Sequence, residues 1–317
     1  MTDLLSGSSS LSVPYNIRPS KQTERRMLLD LYQTLVRAAF PIQNYHYVGF
    51  GSIFYVDFKI FHKLFKVQRM TSIEGFKDIW TRCSYNLPFN NVLLHCGLST
   101  SYFSGLQAHE QYLVWLDYDF SLNGIAAADI QSFCALARPG SLIFVTLDME
   151  RPKELADESP TSYFEYYKDE LPEFAMAGLS VDDFRPPVRE RNIIQLTERC
   201  FSQGILGRPG LTFEYLIRLA YADGHRMLTI GGMIADDTAR ENLGNSAMDT
   251  LWFLSRGESG PLVEIPKFIF TQKEIAVLEH EFPNASVVPA ETGVTQLEFD
   301  EFRRFYRYWP SYSEALV

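Results

Sequence analysis

The chain has 317 residues with ordinary apolar and charged fractions, which fits one large globular domain or two modest ones. Its formal net charge of −10 disfavours a general affinity for duplex nucleic acid, because such binding neutralises phosphates. No apolar run approaches the roughly 20 residues that span a bilayer, and the serine-rich start lacks the pattern of a secretory signal. The composition therefore predicts a cytoplasmic protein without a membrane segment.

The cysteines show no spacing that is typical of metal ligands. They are Cys83, Cys96, Cys134 and Cys200. Reduced thiols in the core of a cytoplasmic protein are the simplest interpretation.

The N-terminal segment is predicted to hold a disordered lead over residues 1–13, followed by a helix from Ser20. Apolar residues recur at helical spacing along this helix, namely Leu28, Leu31, Tyr32, Leu35, Val36 and Ala39. Four basic residues lie within nine positions around its start. A helix N-terminus with basic side chains suits an anionic group, so Arg18 and Lys21 are predicted to bind an anion of the substrate. The alternative is a solvated helix start with local ion pairs.

Strand-like and helix-like segments then alternate along the chain. Largely apolar runs, each with a glycine or an acid at or near its end, lie at residues 47–52, 70–74, 92–97, 113–119 and 142–148. The connections are predicted as helices at 53–65 and 125–137, a short helix or loop at 76–87 and a polar link at 99–111. This alternation predicts a doubly wound α/β fold with a mostly parallel sheet. Ligands of such sheets bind beyond the carboxyl ends of the strands.

The second half of the chain breaks this rhythm. Residues 150–205 are predicted as an insertion with helices at 163–171 and 193–203. Two strand-like runs then flank Asp223-Gly224, a dipeptide typical of a β-hairpin. Beyond the hairpin we predict a strand at 250–254, a helix at 271–282 that opens with a Thr271 and Glu274 capping box, and a last helix at 299–308.

Two glycines and an acid stand where the first two strands end. Gly49 and Gly51 precede a helix, and glycine lets the backbone approach a ligand closely. Glu74 ends the second strand, 23 residues after Gly51, and dinucleotide-binding folds place a ribose-binding acid at about 20 residues. A tight strand-to-helix turn and an exposed strand-end acid are the alternatives.

Two aspartates flank a tyrosine at the end of the fourth strand, in Asp117-Tyr118-Asp119-Phe120. Burying an aspartate without a partner is costly, so this pattern favours a functional or tightly hydrogen-bonded role. One aspartate is a candidate base for an attacking hydroxyl or amine, and Tyr118 or Phe120 is a candidate to stack on a planar substrate. Capping of the following helix is the alternative.

The order of the strands, their glycine and acid ends and the closing antiparallel hairpin resemble the class I (Rossmann-like) S-adenosylmethionine-dependent methyltransferases over roughly residues 42–236. The whole chain is also similar to bacterial proteins described as putative O-methyltransferases. The resemblance implies S-adenosylmethionine as the cofactor, and cofactor-binding positions at Gly49, Phe50, Gly51, Ser52, Glu74 and Ser99. It implies that Asp117, Tyr118 and Asp119 are catalytic and face the methyl group that is transferred.

The chain departs from the family pattern in two places. Tyr47 stands where the family usually has an acid, two residues before the first glycine, and Ser52-Ile53 stands where a third glycine is usual. The alternative function is therefore a catalytically inactive methyltransferase-like subunit that binds or scaffolds a protein partner. A nicotinamide-dependent oxidoreductase is disfavoured by the short glycine motif. No metal is predicted, because the Asp-Asn pair of metal-dependent O-methyltransferases does not follow Asp148.

The sequence predicts three regions: an N-terminal tail and helix over 1–40, a Rossmann-like domain over 41–236 with the insertion at about 150–205, and a C-terminal extension over 237–317. The insertion and the extension are expected to shape the choice of acceptor, an oxygen or a nitrogen that the sequence does not identify. A last group of three arginines and neighbouring aromatics either forms a basic surface or packs its rings inward.

Overall fold

The computed structural model describes residues 18–155 and 157–310, so the predicted disordered lead lies outside the described residues. One eight-stranded sheet runs through the molecule in the order β3-β2-β1-β4-β5-β7-β6-β8. Its strands are β1 His46–Gly49, β2 Arg69–Glu74, β3 Val92–Cys96, β4 Tyr112–Asp117, β5 Leu142–Asp148, β6 Thr212–Ala222, β7 Arg226–Ala235 and β8 Val263–Glu264. Strands β1 to β5 pair in parallel, and β7 pairs antiparallel with both β5 and β6. The predicted fold class is confirmed.

Helices cover both faces of the sheet, as expected where parallel strands are apolar on both sides. They are α1 Pro19–Arg37, α2 Val56–Phe65, α3 Trp80–Tyr85, α4 Ser99–Phe103, α5 Gly124–Leu136, α6 Pro160–Glu170, α7 Glu173–Met176, α8 Arg189–Ile205, α9 Asp237–Gly244, α10 Gln272–Glu281 and α11 Gln296–Phe305. Trp115 packs with α1 and α2 in one core, whereas its neighbour Val114 packs with α5 and α8 in the other. This alternation follows from the two-residue period of a strand.

The charged segment at 150–205 contributes to the second core. Its predicted helices are confirmed as α6 and α8, and α8 lies directly against α5. A Cβ added at Gly204 would lie 2.6 Å from the Cβ of Cys134, so glycine permits the close approach of the two helices. Tyr163, Tyr167 and Leu196 are fully buried in the same cluster. The segment therefore forms part of the layer that covers the sheet.

The predicted hairpin is confirmed, with Ala222 opposite Arg226 across the turn. The predicted strand at 250–254 is wrong. A 3-10 turn ends at Thr250, and the following residues carry no strand, whereas β8 pairs with β6 further along. Leu251 and Phe253 are buried in the first core, so their apolar character reflects anchoring of a loop to that core.

The C-terminal helices form a small third cluster around Leu278, Phe299 and Phe302. The predicted capping box of α10 is confirmed, because both reciprocal hydrogen bonds of Thr271 and Glu274 are present. Helix α11 presents its phenylalanines inward, and its arginines include Arg304, which stacks over the Trp252 ring at 4.6 Å. Among the described residues, no helix is long and apolar enough to cross a membrane.

Candidate active site

A cavity lies at the carboxyl ends of β1, β2 and β4, where the topology brings the predicted strand-end residues together. The loop after β1, the end of β2, the start of α4 and the segment after β4 all contribute, and α1 and α2 close one side. The side chains and backbone that line it belong to Arg25, Phe50, Gly51, Ser52, Phe54, Val56, Asp57, Ile73, Glu74, Gly75, Phe76, Leu98, Ser99, Asp117, Tyr118, Asp119, Phe120 and Ile125. The position matches the ligand-binding edge of open α/β sheets.

The glycine loop, residues 49–52, is hydrogen-bonded to the neighbouring strand β2 and is closely packed. The backbone N–H of Gly51 donates to the Ser72 hydroxyl on β2 at 3.1 Å. Ser52 and Tyr55 have φ angles of 47° and 51°, in the left-handed region that non-glycine residues rarely adopt. Such strained backbone is maintained only when its surroundings fix it, and it concentrates at ligand sites.

Replacing Gly51 with alanine is expected to destabilise the protein by about 1–3 kcal/mol through overpacking. The added Cβ would lie 2.5 Å from the Tyr55 ring and 2.6 Å from the Ser72 hydroxyl. A matched Gly105→Ala variant meets its nearest atom at an ordinary 3.6 Å and should change little. Urea denaturation of both variants measures this difference, and equal midpoints would show that the loop relaxes freely.

Tyr47, at the position of the missing acid, is a buried residue. Its ring packs against Phe58 and Phe61, with centroids 4.9 and 4.2 Å away. A Cβ on Gly49 would lie 2.7 Å from the Tyr47 hydroxyl and 2.8 Å from the Trp115 carbonyl oxygen. Crowding within the protein therefore requires glycine at position 49. Tyr47, which stands where the family usually has an acid, lies beneath the glycine loop.

Glu74 faces the cavity from the end of β2 and is only 7% exposed. Its carboxylate accepts a hydrogen bond of 2.9 Å from the backbone N–H of Phe76 and contacts the Cys83 thiol at 3.7 Å. Burial raises the pKa of Glu74 to about 6, against the opposing effect of these two hydrogen bonds. A carboxylate that is held in place and partly desolvated is suited to accept hydrogen bonds from a ligand.

Asp117 is held by a cation from α1. Lys21 is fully buried, and its ammonium lies 2.7 Å from Asp117 Oδ1 and 2.8 Å from Glu24 Oε2, over the Trp115 ring. Burial opposes ionisation of Asp117, but Lys21 outweighs it, with help from Arg25, and lowers the pKa. Burial raises the pKa of Glu24 despite Lys21. Asp117 therefore carries its charge in the folded protein.

The residues after Asp117 point in different directions. The Tyr118 hydroxyl donates to Asp129 on α5 at 2.6 Å, and its ring stacks edge-on with Phe50 at 5.1 Å. Burial raises the pKa of Asp129 to about 6, opposed by the hydroxyls of Ser99 and Tyr118. Asp119, the remaining predicted catalytic acid, lines the cavity and is partly exposed.

The start of α1, which was predicted to bind an anion, binds a carboxylate group of the same chain. The backbone N–H groups of Ser20 and Lys21 donate to the two oxygens of Asp223 at 3.1 and 2.9 Å, and Arg18 Nε lies 3.9 Å from the same carboxylate. Asp223 belongs to the hairpin turn between β6 and β7. In this structure Asp223 forms an internal cap that joins the helix to the hairpin, and binding of a substrate anion by Arg18 and Lys21 stays a prediction.

A second ion pair at the cavity was not among the predicted site residues. Arg25 Nε donates to Asp57 Oδ1 at 2.7 Å, which joins α1 to the first turn of α2. The sequence signals were the basic cluster around Arg18 and an acid in the first turn of the helix after the glycine loop. Neither signal connects residues that lie 32 positions apart.

Among the described residues, one group has the spacing of potential metal ligands, with donor atoms of Asp148, Glu150 and His225 within 4.8 Å of one another. Nδ1 of His225 lies 3.1 Å from an oxygen of each carboxylate. Contacts between one imidazole and two carboxylates account for this arrangement, and the group contributes no residue to the lining of the cavity.

The chain is similar to several solved structures at low sequence identity. They include a putative O-methyltransferase from Klebsiella pneumoniae (13% identity, TM-score 0.41, covering 71% of this chain and 85% of that one). An O-methyltransferase from Bacillus cereus in complex with SAH is comparable (13% identity, TM-score 0.40, 71% and 86%). The fibrillarin pre-rRNA processing protein of Methanococcus jannaschii is more distant (10% identity, TM-score 0.35, 62% and 70%).

A search of curated proteins found no match. A family model described as "Putative O-methyltransferase" matches residues 13–317, which is nearly the whole chain and includes the cavity, the hairpin and the C-terminal helices. The predicted resemblance is therefore confirmed, and the protein belongs to this family of putative O-methyltransferases.

Proposed function

We propose that the protein binds S-adenosylmethionine in this cavity and transfers its methyl group to an oxygen or nitrogen acceptor. The observation that supports this most strongly is the convergence of the predicted strand-end residues in one cavity. The glycine loop, Glu74, Ser99 and the Asp117–Asp119 segment come from four separate parts of the chain and meet there. Bound in the cavity, the cofactor would supply an electrophilic methyl group on a sulfonium.

The chemistry of the lining fits a nucleoside on the β2 side. Glu74 offers a carboxylate to the ribose hydroxyls, and Leu98 with Ser99 at the start of α4 forms an apolar and hydroxyl wall for the adenine. Gly51 leaves space that a Cβ would fill, so the backbone of Gly49, Phe50, Gly51 and Ser52 can approach a ligand closely. Cofactor binding by these residues is supported by their shared cavity.

The segment after β4 is proposed to form the acceptor side. Asp117 is ionised and paired with Lys21, and a carboxylate with a lowered pKa is a weak base. We therefore assign the general base to Asp119 and give Asp117 an electrostatic role beside the sulfonium. Tyr118 and Phe120 present rings 4.8 Å apart that could pack against a planar acceptor. Most of the rate enhancement would come from alignment of the acceptor with the methyl group.

We propose that residues 41–236 form the methyltransferase domain and residues 237–317 an extension that supports α1. Nη1 of Arg26 donates to the Trp309 carbonyl oxygen at 2.6 Å, and the Tyr308 hydroxyl donates to Asp30 at 2.7 Å. A cytoplasmic location is supported by four cysteines that are all unpaired thiols, as expected in a reducing compartment.

Calorimetric titration of the wild-type protein with S-adenosylmethionine, S-adenosylhomocysteine and NAD⁺ tests the proposed function. We expect saturable 1:1 binding of the first two ligands and none of NAD⁺. Binding of NAD⁺ alone would favour the oxidoreductase alternative. If a sample that unfolds cooperatively binds none of the three ligands, the proposal is contradicted. That result would favour the alternative of a catalytically inactive scaffolding subunit, which the replacement of the usual acid by Tyr47 suggests.

A further inference from the structure

Strand β3, Val92–Cys96, forms one edge of the sheet. Among the described residues it pairs only with β2, in a parallel ladder of five consecutive residue pairs without a bulge. The strand contains no acid, lysine, arginine or proline. Natural proteins usually protect an exposed edge with charges, a proline, a bulge or a very short strand, and the opposite edge does so because β8 has two residues. Strand β3 is therefore a template for pairing with a further strand.

Exposed apolar side chains lie on β3 and on the elements beside it. Leu93 on β3 is 67% exposed, Tyr85 at the end of α3 is 88% exposed and Leu64 on α2 is 58% exposed. Helix α2 and the loop that leads into β3 are in contact, because the rings of His62 and Phe89 pack with centroids 4.2 Å apart. Exposed apolar groups that lie near one another are typical of surfaces that bind a partner.

The same region is basic, although the whole chain is acidic. Residues 56–96 contain six of the 29 lysines and arginines but three of the 39 acids, and two of these acids, Asp57 and Glu74, line the cavity. Arg69 is paired with Glu110, whereas the other five cations are exposed and form no ion pair with a described residue. These five are Lys59, Lys63, Lys66, Lys77 and Arg82. The surface formed by α2, α3 and β3 is thus suited to a negatively charged partner.

The charges also decide which kind of chain suits this edge. A second copy that paired through β3 would bring the two sets of lysines together, and like charges across an interface are unfavourable. A nucleic acid would be held through its phosphates and through bases stacked on aromatic rings, which leaves the open strand and the aliphatic Leu64 and Leu93 without a role. An extended peptide with acidic side chains uses the open backbone, the apolar groups and the cations together.

We propose that β3 binds an extended acidic segment of a partner protein, which joins the sheet as an additional strand. Main-chain hydrogen bonds to the outer side of β3 hold the segment, as in other cases of strand addition. Its carboxylates lie near Lys63, Lys66 and Arg82, and one of its apolar side chains packs against Leu93. None of these four residues lines the proposed cofactor cavity, so the segment binds with or without the cofactor.

Three labelled peptides test this proposal by fluorescence anisotropy on the full chain without cofactor. The first alternates glutamate and valine, so that it has the two-residue period of a strand. The second alternates glutamate and proline, which keeps the acids but disfavours a regular strand. The third alternates lysine and valine, which keeps the strand pattern and reverses the charge. Amide hydrogen exchange over residues 90–97, followed by mass spectrometry, shows whether a bound peptide lies on β3.

A triple variant that reverses exposed cations tests the role of charge: Lys63→Glu, Lys66→Glu and Arg82→Glu. The matched control makes the same change in net charge on the segment at 150–205, which packs on the other core: Lys153→Glu, Lys168→Glu and Arg191→Glu. All six side chains are exposed, and substitutions at such positions usually change stability little. Urea denaturation of both variants confirms that they fold.

We expect the wild-type protein to bind the glutamate–valine peptide, and to bind it less tightly as the salt concentration is raised. The triple variant should bind this peptide about tenfold more weakly, because three exposed attractions become repulsions. The control variant should stay within about twofold of wild type. The glutamate–proline and lysine–valine peptides should bind the wild-type protein about tenfold more weakly than the glutamate–valine peptide. Slower amide exchange in β3 is expected with the glutamate–valine peptide alone.

Several results would overturn the proposal. Equal binding of the two glutamate peptides would show that the surface attracts charge without adding a strand. If the wild-type protein does not bind the glutamate–valine peptide, or if exchange slows only away from β3, this edge is not a docking site. Equal affinities of the two triple variants would remove the role of the cations. Tighter binding of a labelled oligouridine would assign the surface to a nucleic acid. A dimer in sedimentation, with β3 amides protected in the absence of peptide, would assign the edge to a second copy.

Discussion

Replacement of Lys21 with methionine is expected to lower the free energy of unfolding by about 3–5 kcal/mol, the range for breaking a buried ion pair on one side. The Lys21 side chain is 0% exposed, and its ammonium balances both Asp117 and Glu24. Methionine fills a similar volume, so the expected loss comes from two carboxylates left in a buried environment without the ammonium group that pairs with both of them. Urea denaturation measures this loss of unfolding free energy, and the dependence of that free energy on urea concentration is compared with the wild-type value.

Lys63→Met provides the matched control, because Lys63 is exposed on α2 and its removal should change the free energy of unfolding by less than about 0.5 kcal/mol. A loss in Lys21→Met no larger than in this control would contradict the buried ion-pair network. The pH dependence of the unfolding free energy provides a second test. The lowered pKa of Asp117 contributes stability that is present above the ordinary aspartate range and lost as pH falls through the folded value, and Lys21→Met should abolish this contribution.

Replacement of Glu74 with glutamine is expected to weaken the binding of S-adenosylhomocysteine by about 10- to 100-fold. In the wild-type protein the same affinity should depend on pH. Burial raises the pKa of Glu74 to about 6, so about one tenth of the protein carries the carboxylate at pH 5. If only the ionised form of Glu74 binds the ligand, the affinity should fall about tenfold between pH 8 and pH 5, because pH 5 lies about one pH unit below the pKa of Glu74. The glutamine variant should lose this dependence.

The same substitution is expected to stabilise the free protein at pH 8. A carboxyl group with a raised folded pKa favours the protonated form, so stability falls as pH rises from about 4.5 to about 6. The full cost of ionising buried Glu74 above pH 6 is about 2 kcal/mol, and glutamine avoids it while it can still accept from the Phe76 N–H. A gain in stability with a loss in binding distinguishes a ligand-binding acid from a structural one.

Asp78→Asn is the matched control for Glu74, since Asp78 is an exposed acid four residues further along. It should leave the affinity at pH 8 unchanged. Because the charge of Asp78 adds to the raised pKa of Glu74, the variant should shift the midpoint of the pH dependence downward without abolishing the dependence. Burial also raises the pKa of Asp129 to about 6, and any pH effect that this group contributes near Ser99 would persist in Glu74→Gln. Persistence of the whole tenfold effect in that variant would contradict the role of Glu74.

The regular elements could be predicted because their signals are local. Buried parallel strands appear as apolar runs, Asp223-Gly224 fits a tight turn, and the capping box of Thr271 lies within four residues. The glycines and Glu74 could be placed on one edge of the sheet because the carboxyl ends of parallel strands share that edge. The strand at 250–254 was wrong because an apolar run does not distinguish a strand from a loop that is anchored to the core.

The charge pairs around the cavity could not be predicted, because they join side chains that are far apart in sequence. Lys21 and Asp117 are separated by 96 positions, and the backbone of Lys21 and Asp223 by 202. The basic cluster at the start of α1 was visible, but its partners come from a strand end and a hairpin turn. Periodicity reports which face of an element is buried and carries no information about which charges meet across elements.

A crystal structure of the wild-type protein grown with S-adenosylhomocysteine tests the central claim most directly. The account predicts that the ribose hydroxyls lie within hydrogen-bond distance of Glu74 and that the rest of the ligand lies against the backbone of Gly49, Phe50, Gly51 and Ser52. Ligand density at another place on the molecule, or a cavity without density in crystals saturated with the ligand, would contradict the assignment of this cavity as the cofactor site.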